Sequence, residues 1–137
     1  MQILVTNNHL DRIGGTETYT YYLIKELIQQ GCDVEYYTIQ QGEISQKIEN
    51  ELDVKFLSKN KYDLILANHN STIEKVWKRG PVIQTCHGIF PYLEQPSLFA
   101  DIYVAISEEV QHYLSKKQIA SFIIPNGIDC NTFFPTS

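Results

Sequence analysis

Few of the features that announce a function at a glance occur in this chain. Three cysteines, Cys32, Cys86 and Cys130, lie too far apart for a zinc knuckle or a redox CxxC pair, and an odd count closes no disulfide framework. They read as reduced thiols of a cytoplasmic protein. Basic residues are in the minority: 11 Lys and Arg against 16 Asp and Glu give a formal net charge of −5. That balance argues against a general electrostatic grip on nucleic acid or an anionic membrane, and leaves a local patch as the only route to either. The opening MQILVTNNHL has neither the basic start nor the long apolar stretch of a secretory signal. No apolar run approaches the ~20 residues that span a bilayer, so membrane association is expected to be peripheral at most. A GxGxxG fingerprint is missing, which disfavours a dinucleotide site, and the lack of GxxxxGK[ST] excludes a P-loop.

The 137 residues, 43% hydrophobic and 20% charged, suit one globular domain with a real core. Short apolar runs at 3–6 (ILVT), 63–67 (DLILA), 81–86 (PVIQTC) and 101–107 (DIYVAIS) read as buried strands, with weaker ones at 33–39 and 121–125. Between them lie helical patterns. Residues 16–30 carry Tyr19, Leu23 and Leu27 as an apolar stripe closed by Gly31, Ser71 opens an S-x-x-E capping box with Glu74, and Ser107 precedes a third stripe of Val110, Tyr113 and Leu114. In residues 42–61, Ile44 and Ile48 suit a short helix and 54–57 a short edge strand. Strands alternating with helices predict an α/β fold, a Rossmann-like parallel sheet of six or seven strands with helices on both faces. Near-continuous apolar strands agree, since both of their faces are covered.

Ligands of such sheets bind beyond the carboxyl ends of the strands. The loops expected there are 7–15, 68–70, 87–98 and 125–130. They hold Gly14-Gly15, His9, His69, His87 and Asn126-Gly127. Gly14, Gly15 and Thr16 at a helix start have the physics of an anion site, because glycine lets backbone N–H groups approach a charged ligand at the positive end of a helix. The plainer reading is a turn, with Thr16 as the helix N-cap and Glu17 a first-turn carboxylate. His87 and His69 each follow a strand, where a histidine is as readily structural as functional; together they favour a crevice. A zinc site from His9, His69 and His87 lacks any short-range ligand pair, and no metal is expected. His112 is expected on an exposed helix face, and Asn70-Ser71-Thr72 as a cap rather than a glycosylation site.

Taken in order, GGTETYTYYLIKELIQQGCDVEYYT, PVIQTCHGIFP, IYVAISEEVQHYL and SFIIPNGIDCNTFFP resemble the N-terminal domain of the family 4 retaining glycosyltransferases of GT-B fold. The resemblance runs from Met1 to Pro135. It implies that residues 1–137 form the acceptor-side Rossmann-like half of a two-domain enzyme, with the C-terminal, donor-binding domain outside this chain. Such an enzyme moves a sugar from a nucleotide-diphosphate sugar to an acceptor hydroxyl with retention of configuration, and needs no further cofactor.

By the same resemblance Gly14, Gly15 and Thr16 would face the donor diphosphate, and His87 would contact the donor sugar or support charge at the reaction centre. His69, with Gly88, Phe90, Tyr92 and Asn126, would face the acceptor. Members of the family often carry Asp or another residue where this chain has Gly88. The alternative is a stand-alone, non-catalytic binding module acting with a separate partner chain.

Overall fold

The computed structural model describes residues 1–125, so Asn126, Gly127 and Cys130 lie outside the described residues. The chain runs β1 (Gln2–Leu10), α1 (Gly15–Gln29), β2 (Asp33–Gln41), α2 (Glu43–Leu52), β3 (Lys55–Phe56), β4 (Leu64–Ala67), α3 (Asn70–Val76), β5 (Val82–Cys86), β6 (Ile102–Ala105), α4 (Glu108–Lys116) and β7 (Phe122–Ile123). The seven strands form one sheet in the order β3-β2-β1-β4-β5-β6-β7. Every neighbouring pair is parallel, as the alternation of strand and helix predicts.

The period-2 geometry of β1 divides the core. Ile3 and Val5 point to one face and pack with Tyr21 and Ile24 of α1 and Ile44 and Ile48 of α2. Leu4 points to the other and packs with Ile65, Val82 and, from α3, Ile73 and Val76. Cys86 and Ala105 carry a smaller cluster against Val110 and Leu114 of α4. Among the described residues no helix is long and apolar enough to cross a membrane.

Several local expectations are corrected by this packing. β1 extends to Leu10 instead of ending at Thr6, because β2 is equally long and pairs with it as far as Leu10↔Gln41. Asn7, Asn8 and His9 are therefore strand residues, not loop residues. The buried stripe of α1 is Glu17, Thr20, Tyr21 and Ile24, while Leu23 and Leu27 only flank the core and Tyr19 turns to the site. Two polar residues on the buried face hid that stripe from a count of apolar spacing. α3 starts at Asn70 with His69 as N-cap and no side-chain cap, so Ser71 is not the capping residue; its hydroxyl donates to Asn8 Oδ1 at 2.7 Å. Ser107 does cap α4, accepting from the Val110 N–H at 3.2 Å. Gly31, at φ +89, closes α1 in a conformation that glycine adopts without strain.

Between β3 at one edge and β4 in the centre the chain must return past β2 and β1. The buried carboxylate of Glu35 on β2 fastens that return. It accepts from Lys59 Nζ (2.6 Å), Tyr62 OH (2.6 Å), Ser58 Oγ (2.8 Å) and the Ser58 N–H (2.9 Å). Burial pushes the Glu35 carboxyl up, but these four donors outweigh it and hold the group at about 2 instead of 4.5. A carboxyl held down in the folded state contributes stability above its unfolded pKa and loses it as pH falls toward the folded one. Glu35→Gln is expected to cost about 1–3 kcal/mol at neutral pH. Thermal melts of the wild type should lose stability between pH 4.5 and about 2, and the variant should show a flatter acid limb. Equal slopes for the two proteins would remove Glu35 from this role.

Candidate functional site

Strand order reverses between β1 and β4: from β1 the chain builds outward to β3, then returns to β4 and builds outward to β7. The carboxyl ends of two diverging strands leave a crevice at such a point. Asn7 follows Thr6 on β1 and Asn68 follows Ala67 on β4, and Thr6 and Ala67 are register partners, so the two amides meet there. The Asn68 amide nitrogen donates to Asn7 Oδ1 (3.1 Å) and to Thr20 Oγ1 (3.0 Å) of α1. His87, immediately after β5, lies on the other side of Asn68, with 2.8 Å between its Nε2 and Asn68 Oδ1.

Hydrogen-bond polarity around this cluster can be worked out from two backbone carbonyls. Thr20 Oγ1 gives its proton to the Thr16 carbonyl (2.7 Å), so it can only accept from Asn68. Asn7 Nδ2 donates to the His9 carbonyl (2.8 Å), so Asn7 Oδ1 likewise only accepts. Asn68 must therefore turn its NH₂ to these two and its oxygen to His87. It follows that His87 carries its proton on Nε2. Nδ1 then carries the free lone pair, and among the described residues no group donates a hydrogen bond to it. Burial holds the His87 pKa down to about 4, so the ring is neutral at physiological pH. Tyr19 of α1 packs edge-on against it, with centroids 4.6 Å apart.

His69 is buried, and its Nδ1 accepts the Asn8 N–H at 2.9 Å, which leaves Nε2–H as its donor. Burial first, then the neighbouring His9 and His87 rings, lower its pKa to about 4. His9, on β1, stacks on His69 with centroids 5.3 Å apart and faces the buried carboxylate of Glu17, 3.4 Å from its Nε2. Among the described residues no three His, Cys, Asp or Glu side chains are grouped to hold a metal.

At the start of α1 the N-cap is Gly14, and no side chain caps the helix. Thr16, expected as the cap, lies inside the first turn; its hydroxyl accepts from Asn7 Nδ2 (3.3 Å) and donates to Glu17 Oε1 (3.0 Å). A Cβ on Gly14 would meet the Glu17 carboxylate at 2.8 Å, whereas one on Gly15 would meet nothing within 4 Å. One carboxylate thus already faces the positive end of the helix, and the approach beside Gly15 is open. A Cβ on Gly88 would lie 2.9 Å from Glu94 Oε1 in the loop after β5. That loop is tied down: Asn70 Nδ2 donates to the Tyr92 carbonyl (2.9 Å) and Gln95 Nε2 to the Ile89 carbonyl (2.9 Å). The side chains of Phe90 and Tyr92 nevertheless stand 89% and 78% exposed.

Gly14-Gly15, His69 and His87 therefore all lie on the carboxyl-end rim, and Asn68 joins His87 to the strand that precedes His69. Sequence reasoning missed Asn7, Thr20 and Asn68; it named Glu17 as a first-turn carboxylate, which it is, and Tyr19 only as part of an apolar stripe. Asparagines placed directly after the apolar runs ILVT and LILA were the available signal. NMR of the imidazole nitrogens should find His87 and His69 both protonated on Nε2, with pKa values near 4. Asn68→Asp sets a carboxylate against the His87 Nε2–H and should raise the His87 pKa by about one unit or more. A His87 that stays on its wild-type titration curve would show that Asn68 does not hold it.

A family model described as Glycosyltransferase Family 4 matches residues 50–132, which is more than half of the chain and includes Asn68, His69 and His87. No curated protein and no solved structure matches the chain. The chain belongs to Glycosyltransferase Family 4.

Proposed function

We propose that the chain is the acceptor-side domain of a glycosyltransferase that moves a sugar from a nucleotide-diphosphate sugar to a hydroxyl acceptor with retention of configuration. The observation that carries this reading is His87, held neutral by burial and oriented through Asn68 beside the switch point, with an Nδ1 lone pair that no donor among the described residues engages. Family membership supplies the reaction class; the geometry supplies a role. As the bond to the leaving diphosphate stretches, positive charge develops on the transferred sugar. A neutral imidazole presents a lone pair to that charge or to a sugar hydroxyl, where an imidazolium would repel it. An interaction that strengthens as the bond breaks acts on the transition state.

In this reading the open N–H groups at Gly15 and Thr16 face the diphosphate, whose base and ribose are held by the second, donor-binding domain. His69 offers its Nε2–H to the acceptor. Phe90 and Tyr92, exposed on a loop fastened by Asn70 and Gln95, supply flat apolar surface on which an acceptor sugar ring can rest. The reaction takes place in the cytoplasm, where nucleotide sugars are available, and uses neither metal nor nucleic acid.

Two substitutions in the complete enzyme test these roles. His87→Ala should lower kcat by roughly 10²-fold, about 2.7 kcal/mol, with little change in donor affinity or melting temperature. A variant that loses stability and raises the acceptor KM while keeping kcat would show that His87 only braces its loop. Gly15→Ala should stabilise the fold slightly, because Gly15 is helical and its Cβ position is empty. The added methyl group should also weaken donor binding by about tenfold, since it blocks backbone approach. Unchanged donor affinity with raised stability would favour the turn-only reading of Gly14-Gly15.

A further inference from the structure

At the opposite end of the sheet lies a surface that the transferase reading does not use. The short 3-10 turn after α3, Trp77–Arg79, and the segment before β6, Leu98–Asp101, meet at the amino ends of β5 and β6. There the rings of Trp77 and Phe99 stack with centroids 4.7 Å apart and planes 10° from parallel. Both remain more than a third exposed, and Leu98 beside them is 94% exposed. Two shallow hollows of about 680 and 590 Å³ adjoin at Trp77 and Lys78.

The walls of these hollows are basic. Lys61, Lys75, Lys78 and Arg79 line them, and among the described residues none of the four is in an ion pair. Lys78 Nζ lies 5.5 Å from the Trp77 ring centroid. Arg79 is partly held by the Lys59 carbonyl, which accepts from its Nη1 at 2.7 Å. Two acids share the walls, Glu74 and Asp101, and Asp101 Oδ2 is engaged by the Val82 N–H at 2.8 Å. Four cations around three exposed apolar side chains is a marked local reversal in a chain of net charge −5.

We propose that this surface docks on an anionic phospholipid bilayer. Tryptophan suits the headgroup layer, with an apolar body and one N–H, and lysine lays its stem on apolar surface while its ammonium reaches phosphate. Lysine is depleted at the core of protein–protein interfaces, so three lysines around the Trp77–Phe99 stack, none in an ion pair among the described residues, favour a lipid surface over a protein one. Nucleic acid would meet an acidic molecule beyond the patch. With its amino end on the bilayer, the sheet turns the His87 rim toward water. The inference stands independently of the transferase reading, and neither fails with the other.

Trp77 is the only tryptophan in the chain, so its fluorescence reports on this surface alone. The protein would be mixed with vesicles of equal parts phosphatidylcholine and phosphatidylglycerol, and with vesicles of phosphatidylcholine only. A blue shift of Trp77 emission and co-sedimentation are expected with the anionic vesicles and not with the neutral ones, weakening as salt is added. The double variant Lys75→Glu/Lys78→Glu should bind about tenfold more weakly or worse. Leu98→Asp, at a fully exposed position, should reduce the blue shift while circular dichroism stays unchanged. No shift with anionic vesicles, equal binding to neutral ones, or undiminished binding by both variants would overturn the proposal. So would light scattering that shows a dimer with Trp77 already shielded in the absence of lipid.

Discussion

One buried carboxylate fastens the step on which the rest of the architecture depends. Glu35 collects four donors from residues 58–62 and so holds the chain as it leaves the β3 edge and returns to the centre of the sheet. Asp63 completes the return, accepting the Gln2 N–H at 2.7 Å while its own N–H donates to the Gln2 carbonyl at 2.8 Å. With that path set, β4 pairs with the free side of β1, and the strand order reverses. An ionised carboxylate survives under the sheet because every lone pair it must satisfy is met by a donor, one of them charged.

The reversal brings polar groups into a place that would otherwise be core. Asn7, Thr20 and Asn68 are almost wholly buried, and each unmet donor or acceptor among them would cost about 1–3 kcal/mol. They meet their needs from one another and from two backbone carbonyls, which removes any freedom to flip the amide. A fully satisfied network of this kind is rigid, and its rigidity is passed to the His87 ring. Desolvation then keeps both His87 and His69 uncharged, so the rim holds two neutral imidazoles of known tautomer beside a helix start. A single carboxylate, Glu17, balances the positive end of that helix and faces His9.

The two ends of the sheet differ in kind. At the carboxyl end, polar side chains are buried, paired and oriented, as a binding crevice requires. At the amino end, Trp77, Phe99 and Leu98 lie open among cations that make no ion pair among the described residues, a composition suited to contact with an extended anionic surface. α3 spans the two: its start, held by Thr72 donating to the His69 carbonyl at 3.1 Å, borders the crevice, and its end delivers Trp77 to the other side.

Much of the fold was legible in the sequence because strand and helix each impose a short period. Apolar runs of four to seven residues marked β1, β4, β5 and β6, and Ser107 and Gly31 marked a true helix start and a true helix end. The motifs GGT and CHG could be placed at strand ends for the same reason, and their resemblance to a glycosyltransferase family agrees with the family match. What the sequence by itself determined was the set of elements and which residues leave them. Only the tertiary structure decided which polar residues meet. Asn68 reaches Asn7 across 61 residues and His87 across 19, and no local period links such positions. Register between parallel strands and the path of the return to β4 set those encounters, and with them the orientation of Asn68 and the tautomer of His87.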